Sequence, residues 1–245
     1  MEYRGSSAYD NESFYENYMR RRNREDSPNY VMEEPVILEL IGDVAGMHIL
    51  DLGCGDARFG KELAIRGCAY YEGVEGSSHM VRSALQQLNP ACSRIHHSSM
   101  EAWDYPARHY DLVVSRLALH YVEDLQLVLR KIRQALKADG RFVFSVQHPV
   151  LTSSVKSAEA SGKRLDWIVD DYFKEGERAE PWIGEQVVKH HRTIEGYFQA
   201  LRRAGFRIED IRECVPRPER FRDEEEYRRR LRIPLFLVFH CGHRD

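Results

Sequence analysis

Two acids and two glycines carry the chemistry that this chain is expected to perform. Asp51 stands inside an apolar run, Ile49-Leu50-Asp51-Leu52, directly before Gly53-Cys54-Gly55, and Glu75 closes a second apolar run, Ala69 to Val74. Glycines after a buried strand let the backbone bend tightly and leave no side chain between it and a ligand. An acid about 20 residues further on, at the end of the second strand, can accept both hydroxyls of a ribose. The dinucleotide fingerprint Gly-x-Gly-x-x-Gly needs a third glycine where this chain has Arg58, and a carboxylate at Asp51 repels phosphate. The expected ligand is a nucleoside with a cationic tail and no phosphates.

Histidines supply the candidate bases, because their charge changes near neutral pH. His148 precedes Pro149 at the end of an apolar stretch, and His191 lies in Lys189-His190-His191-Arg192. His120 can serve as a base or hold a loop. His96 and His97 are adjacent in a short strand and face opposite sides, so no metal site is expected from them.

The elements that must position these groups are legible as periodic segments. Helices are expected over Pro35 to Val44, over Lys61 to Arg66 with Gly67 as stop, after a Ser77 or Ser78 cap, over Glu123 to Ala138 with Gly140 as stop, and after a Thr193 cap, closed by Gly205. Strands are expected at Arg94 to His97, Asp111 to Ser115, Arg141 to Gln147, Phe206 to Val215 and Pro234 to His243. In open parallel sheets, ligands sit outside the carboxyl ends of the strands, so Gly53, Glu75, Ser99 and Ser115 should converge. Leu151 to Lys163 is small and polar and reads as a mobile loop leading to Trp167, Tyr172, Trp182 and His191. Arg217 to Arg232, with balanced charge, reads as a solvated helix.

The ordered set Asp51-Leu52-Gly53-Cys54-Gly55, Gly73-Val74-Glu75-Gly76-Ser77 with Met80, Ser99-Met100-Glu101, Tyr110 to Ser115 and Leu136 to Gly140 resembles the class I S-adenosylmethionine (SAM)-dependent methyltransferases, especially the small-molecule branch of quinone-biosynthesis and natural-product enzymes. The resemblance covers roughly Val44 to Val150. It implies an α/β, Rossmann-like seven-stranded mixed sheet with helices on both faces and the seventh strand antiparallel between the fifth and sixth. One domain is expected over residues 1–245, with an N-terminal arm (1–34) and a substrate lid inserted after the fifth strand (151–192). SAM is the implied cofactor and S-adenosylhomocysteine the product. The implied cofactor residues are Arg22, Asp51, Gly53, Cys54, Gly55, Glu75, Gly76, Met80, Ser99, Met100, Glu101 and Ser115. Met80 is also on the core period of its helix, and Ser99 stands where many relatives have an aspartate, leaving the adenine amino group to Glu101, a backbone group or water.

Acceptor contacts are expected from Tyr9, Tyr18, His148, Trp167, Tyr172 and His191, with His148 and His191 as catalytic candidates. Aromatic faces suit a sulfonium through their negative quadrupole. The acceptor is expected to be an aromatic or heteroaromatic O, N or C nucleophile on a small molecule. An RNA methyltransferase and a non-catalytic SAM-binding regulator are the competing readings.

Composition sets the outer bounds. The 245 residues and 42% hydrophobic content suit one α/β domain. A net charge of −3 disfavours nucleic-acid binding through bulk positive charge. No apolar run approaches the ~18 residues needed to cross a bilayer, which points to a cytoplasmic protein. The five cysteines form no Cys-x-x-Cys pair and read as reduced thiols, so no metal is expected. The oligomeric state, monomer or homodimer, is left open by the sequence.

Overall fold

The computed structural model describes residues 2–159 and 166–243. Residues 160–163 of the polar segment, Ser161 and Gly162 among them, therefore lie outside the described residues.

The arm opens with strand β1 (Glu2–Arg4), a 3-10 turn (Gly5–Asp10) and helix α1 (Glu12–Arg22), capped by the Asn11 side chain on the Phe14 amide at 3.0 Å. A π-helical turn over Asn29–Glu33 runs into α2 (Glu34–Ile41), whose Val36, Ile37 and Ile41 are buried.

The main sheet takes β2 (His48–Leu52), β3 (Tyr70–Glu75), β4 (Ser93–His97), β5 (Tyr110–Arg116), β6 (Leu136–Gln147), β9 (Phe206–Arg212) and β10 (Phe236–His243) in the order β4-β3-β2-β5-β6-β10-β9. The first five pair in parallel. Strand β10 runs antiparallel between β6 and β9, as expected for the last strand. Alternation of side chains splits each buried strand between two cores. Leu50, Val113 and Phe142 face α5 (Leu125–Ala135) and α8 (Ile194–Arg203), while Ile49, Val114 and Val143 face α2 and α3 (Arg58–Ile65). Helix α4 (Ser78–Gln87) follows the Ser77 cap, which accepts the Met80 amide. No helix among the described residues is long and apolar enough to cross a membrane.

Helix α5 is shorter than its apolar period predicts. It stops at Ala135 because Leu136 pairs with Tyr110 of β5, and the ladder resumes at Arg141 opposite Leu112 after an irregularity. Lys137 then reaches the Asp111 carboxylate at 2.8 Å, so the stretch expected to finish a helix instead opens β6.

The segment after β6 departs most from expectation. It forms two short helices, α6 (Pro149–Thr152) and α7 (Lys156–Glu159), and a hairpin of β7 (Gly176–Trp182) and β8 (Glu185–His191). Ile183 and Gly184 turn the hairpin with φ of 53° and 86°, the left-handed geometry of a two-residue hairpin turn. Strand β1 pairs in parallel with the free edge of β8, so arm and hairpin make one three-stranded sheet. Trp182 holds this sheet to the arm through edge contacts with Phe14, Tyr18 and Tyr9, at centroid distances of 5.4, 5.6 and 6.3 Å. Helix α9 (Glu224–Arg230) is capped by Asp223, with three acids in its first turn and three arginines in its last; Glu226, Tyr227, Arg229 and Arg230 are half-buried, so it is less solvated than its charge suggests.

Candidate functional site

A cavity of about 890 Å³ lies at the carboxyl ends of β2, β3 and β5 and beneath the arm. The bend between β2 and α3 builds its floor. Gly53 and Gly55 adopt φ of 71° and 59°. A Cβ on Gly53 would sit 2.4 Å from the Ala118 Cβ, so only glycine fits there. The Gly53 and Cys54 amides both donate to the Val74 carbonyl, at 2.8 and 3.2 Å.

Glu75 connects this bend to the next one. Its Oε2 accepts the Gly55 amide at 2.9 Å and its Oε1 accepts the Ser77 amide at 2.8 Å. Each carboxylate oxygen has a further lone pair for a ligand hydroxyl. Burial pushes the Glu75 carboxyl above its ordinary range, partly offset by those amides.

Asp51 lines the same wall and is 2% exposed. Its Oδ2 accepts the Tyr71 hydroxyl at 2.8 Å, while its Oδ1 has no partner among the described residues. Burial pushes the carboxyl up to about 6. A buried acceptor without a donor costs about 1–3 kcal/mol, which a bound ammonium would recover. The orphan oxygen, the side-chain-free bend and the open lone pairs of Glu75 together fit SAM. Asp51 would meet its ammonium and Glu75 its ribose diol.

The arm closes the cavity from above. Asp10 accepts the Ser77 hydroxyl at 3.0 Å and the Ser78 amide at 2.8 Å, pinning the arm to the loop after Glu75. Tyr9 and Tyr18 line the cavity with ring centroids 4.8 Å apart, and Tyr121 joins them. Burial raises all three phenols, so they stay protonated and act as walls and donors. Arg22 also lines the cavity beside Gly55, but its guanidinium is already paired with Asp56. Cys54, Gly76, Met80, Ser99, Met100 and Glu101 complete the portion of the wall anticipated from sequence.

Five expected site residues are not brought there. Ser115 is fully buried and donates to the Leu52 carbonyl at 2.8 Å, binding β5 to β2. His148 caps α6 through the Val150 amide and bonds Glu213 at 3.0 Å. His191 accepts from the Thr152 hydroxyl and donates to the Tyr172 carbonyl, both at 2.8 Å. Burial lowers the basicity of both histidines. Tyr172 packs on His191 at 5.7 Å, and Trp167 lies under the Arg232 guanidinium at 5.4 Å in a separate groove. Ser115 thus joins two strands, and the other four serve the packing of the segment after β6.

Among the charged groups on the wall that were not anticipated are Glu33, Glu34 and Arg116. Arg116 Nε donates to both oxygens of Glu33 at 3.1 Å, and its Nη1 donates to Glu34 at 2.9 Å. Ser145 donates to Glu33 at 2.6 Å, and the guanidinium lies 4.4 Å above the Phe59 ring. The legible signal was an arginine ending an apolar strand and an acid pair ahead of a buried helix. Such charges must find each other.

Comparison with known proteins agrees with this geometry. The methyltransferase domain family matches residues 17–211. A SAM-dependent methyltransferase from Mesorhizobium loti is 32% identical, with a TM-score of 0.80 over 89% of this chain and 99% of that one. An uncharacterized protein of Haemophilus influenzae is 30% identical over 84% of this chain and 85% of its own length. An uncharacterized methyltransferase of Schizosaccharomyces pombe is 26% identical over 70% of this chain, which spans 63% of that relative. The chain therefore belongs to the methyltransferase domain family and is a class I SAM-dependent methyltransferase.

Proposed function

We propose that this enzyme methylates a small molecule, an aromatic or heteroaromatic O, N or C nucleophile, inside the covered cavity. The observation that carries this reading is the roof. Strand β1 on β8 holds the arm over part of this space, and the arm's Tyr9 and Tyr18 lend it two aromatic walls, which supports an acceptor of small-molecule size. At about 890 Å³ the space is near the top of the ~300–1,000 Å³ range of small-molecule sites, room for a cofactor and a modest acceptor.

When bound, SAM supplies an electrophilic methyl on a sulfonium. The protein's task is then to hold the acceptor in line and keep water out. Glu75 and Asp51 fix the donor's two ends, and the glycine bend brings backbone close to it. Arm and hairpin would act as the lid, with Tyr9 and Tyr18 lining the space beneath it. No general base is assigned to His148 or His191.

The test is incubation with methyl-labelled SAM and a metabolite extract containing RNA and protein. Label in a low-mass product is the expected outcome. Label confined to RNA or protein, or no transfer, contradicts the proposal.

A further inference from the structure

The Glu33–Arg116–Glu34 cluster occupies the cavity wall without an evident duty toward SAM. Its placement is costly, since Glu33 is fully buried and several kcal/mol are typically needed to desolvate each ion of such a group. The π-helical turn Asn29–Glu33 delivers it: the wide turn runs directly into α2 and turns Glu33 and Glu34 together toward the end of β5. Extra-wide turns of this kind recur at functional sites.

Two carboxylates share one guanidinium, so the cluster carries one net negative charge. Three of the five Arg116 N–H groups already point at those carboxylates, which leaves the arginine a weak receptor for an anion. Glu34 accepts only at Oε2 among the described residues, so Oε1 is available to a donor. The same imbalance runs around the cavity, whose wall carries seven carboxylates against four guanidiniums.

We infer that the acceptor is a cationic nitrogen compound, an amine or protonated ring nitrogen, recognised by Glu34 and oriented by the Glu33–Arg116 pair. The inference rests on the small-molecule reading above and narrows it. The nitrogen sheds one proton to Glu34, whose side chain is 20% exposed and passes the proton to water. Its freed lone pair then forms the C–N bond while the C–S bond breaks with its electrons to sulfur, leaving a neutral thioether. Arg116 is a positioning residue. It holds Glu34 in place and pairs with Glu33.

The experiment isolates the acceptor from a metabolite extract by following methyl label. The acceptor is expected to be retained on a cation exchanger at neutral pH and to carry the label on nitrogen. Calorimetry with the purified acceptor and the protein saturated with S-adenosylhomocysteine then compares wild type with Glu34→Gln. Loss of a charge-assisted contact predicts acceptor affinity weaker by about ten-fold or more, with S-adenosylhomocysteine affinity unchanged. An anionic or neutral acceptor, or equal acceptor affinity in the two proteins, overturns this inference alone. No low-mass acceptor at all overturns the small-molecule reading, and this inference with it.

Discussion

The Glu75 carboxylate accepts the Gly55 amide at 2.9 Å, so the acid that ends β3 also sets the bend that follows β2. One side chain thus joins two jobs, shaping the floor and offering a ligand acceptor. Removing it should damage both. Glu75→Ala leaves the Gly55 and Ser77 amides unpaired, and a stability loss of about 1–3 kcal/mol is expected. SAM affinity should fall by a larger factor than that instability explains. Denaturant melts and calorimetry measure the two effects separately, and unchanged affinity in a folded variant would remove Glu75 from the site.

Asp51 gives a prediction of opposite sign for stability. Its carboxyl is held up at about 6, against about 3.9 in an unfolded chain. The native state therefore binds the extra proton between those values, and stability falls as pH rises through that window, by about 3 kcal/mol in all. Asp51→Asn removes the charge at nearly constant volume. It should gain about 3 kcal/mol near pH 8 and about half of that near pH 5, while weakening SAM binding. Wild-type affinity for SAM should itself decline as pH drops through about 6, because the protonated acid no longer attracts an ammonium. Flat profiles in both measurements would contradict this account of Asp51.

Arg116 is the counterion of a fully buried Glu33. Arg116→Leu should destabilise the fold by about 3–5 kcal/mol, much more than Ser145→Ala, which removes one hydrogen bond from the same carboxylate. Adding Glu33→Gln to Arg116→Leu should recover a large share of the loss. Additive effects in a double-mutant cycle would mean that the two groups are not coupled.

Trp182→Ala should loosen the arm, since that ring contacts Phe14, Tyr18 and Tyr9 at once. Faster amide exchange is expected over residues 2–22, and addition of S-adenosylhomocysteine should slow it in wild type. Exchange that ignores both changes would reduce the arm to a fixed part of the domain.

His191→Ala tests the structural assignment of that residue. Losing its bonds to Thr152 and Tyr172 should cost about 1–3 kcal/mol, with turnover of the folded enzyme largely retained. A collapse of kcat in a folded variant would restore His191 as a base.

Much of this was legible in the chain because strand and cap signals are local. The apolar runs before Gly53 and Glu75, the Ser77 and Thr193 caps and the final antiparallel strand sit where their residues predicted. Residues that failed did so for long-range reasons. His148 and His191 have the chemistry of bases, but Val150 and the distant Glu213 claim the nitrogens of the first, and Thr152 and Tyr172 those of the second. Strand β1 has only three residues and takes its identity from the edge of β8, which no local pattern reveals. Glu33 and Glu34 take their place from Arg116, more than eighty residues away, which no local pattern reveals.

The most direct measurement is a crystal of the protein grown with S-adenosylhomocysteine. The predicted result places the ribose hydroxyls on Glu75, the amino group on Asp51 Oδ1 and the sulfur facing the space between Tyr18 and Arg116. A nucleoside bound elsewhere, or a crevice that admits only a diphosphate, would contradict it.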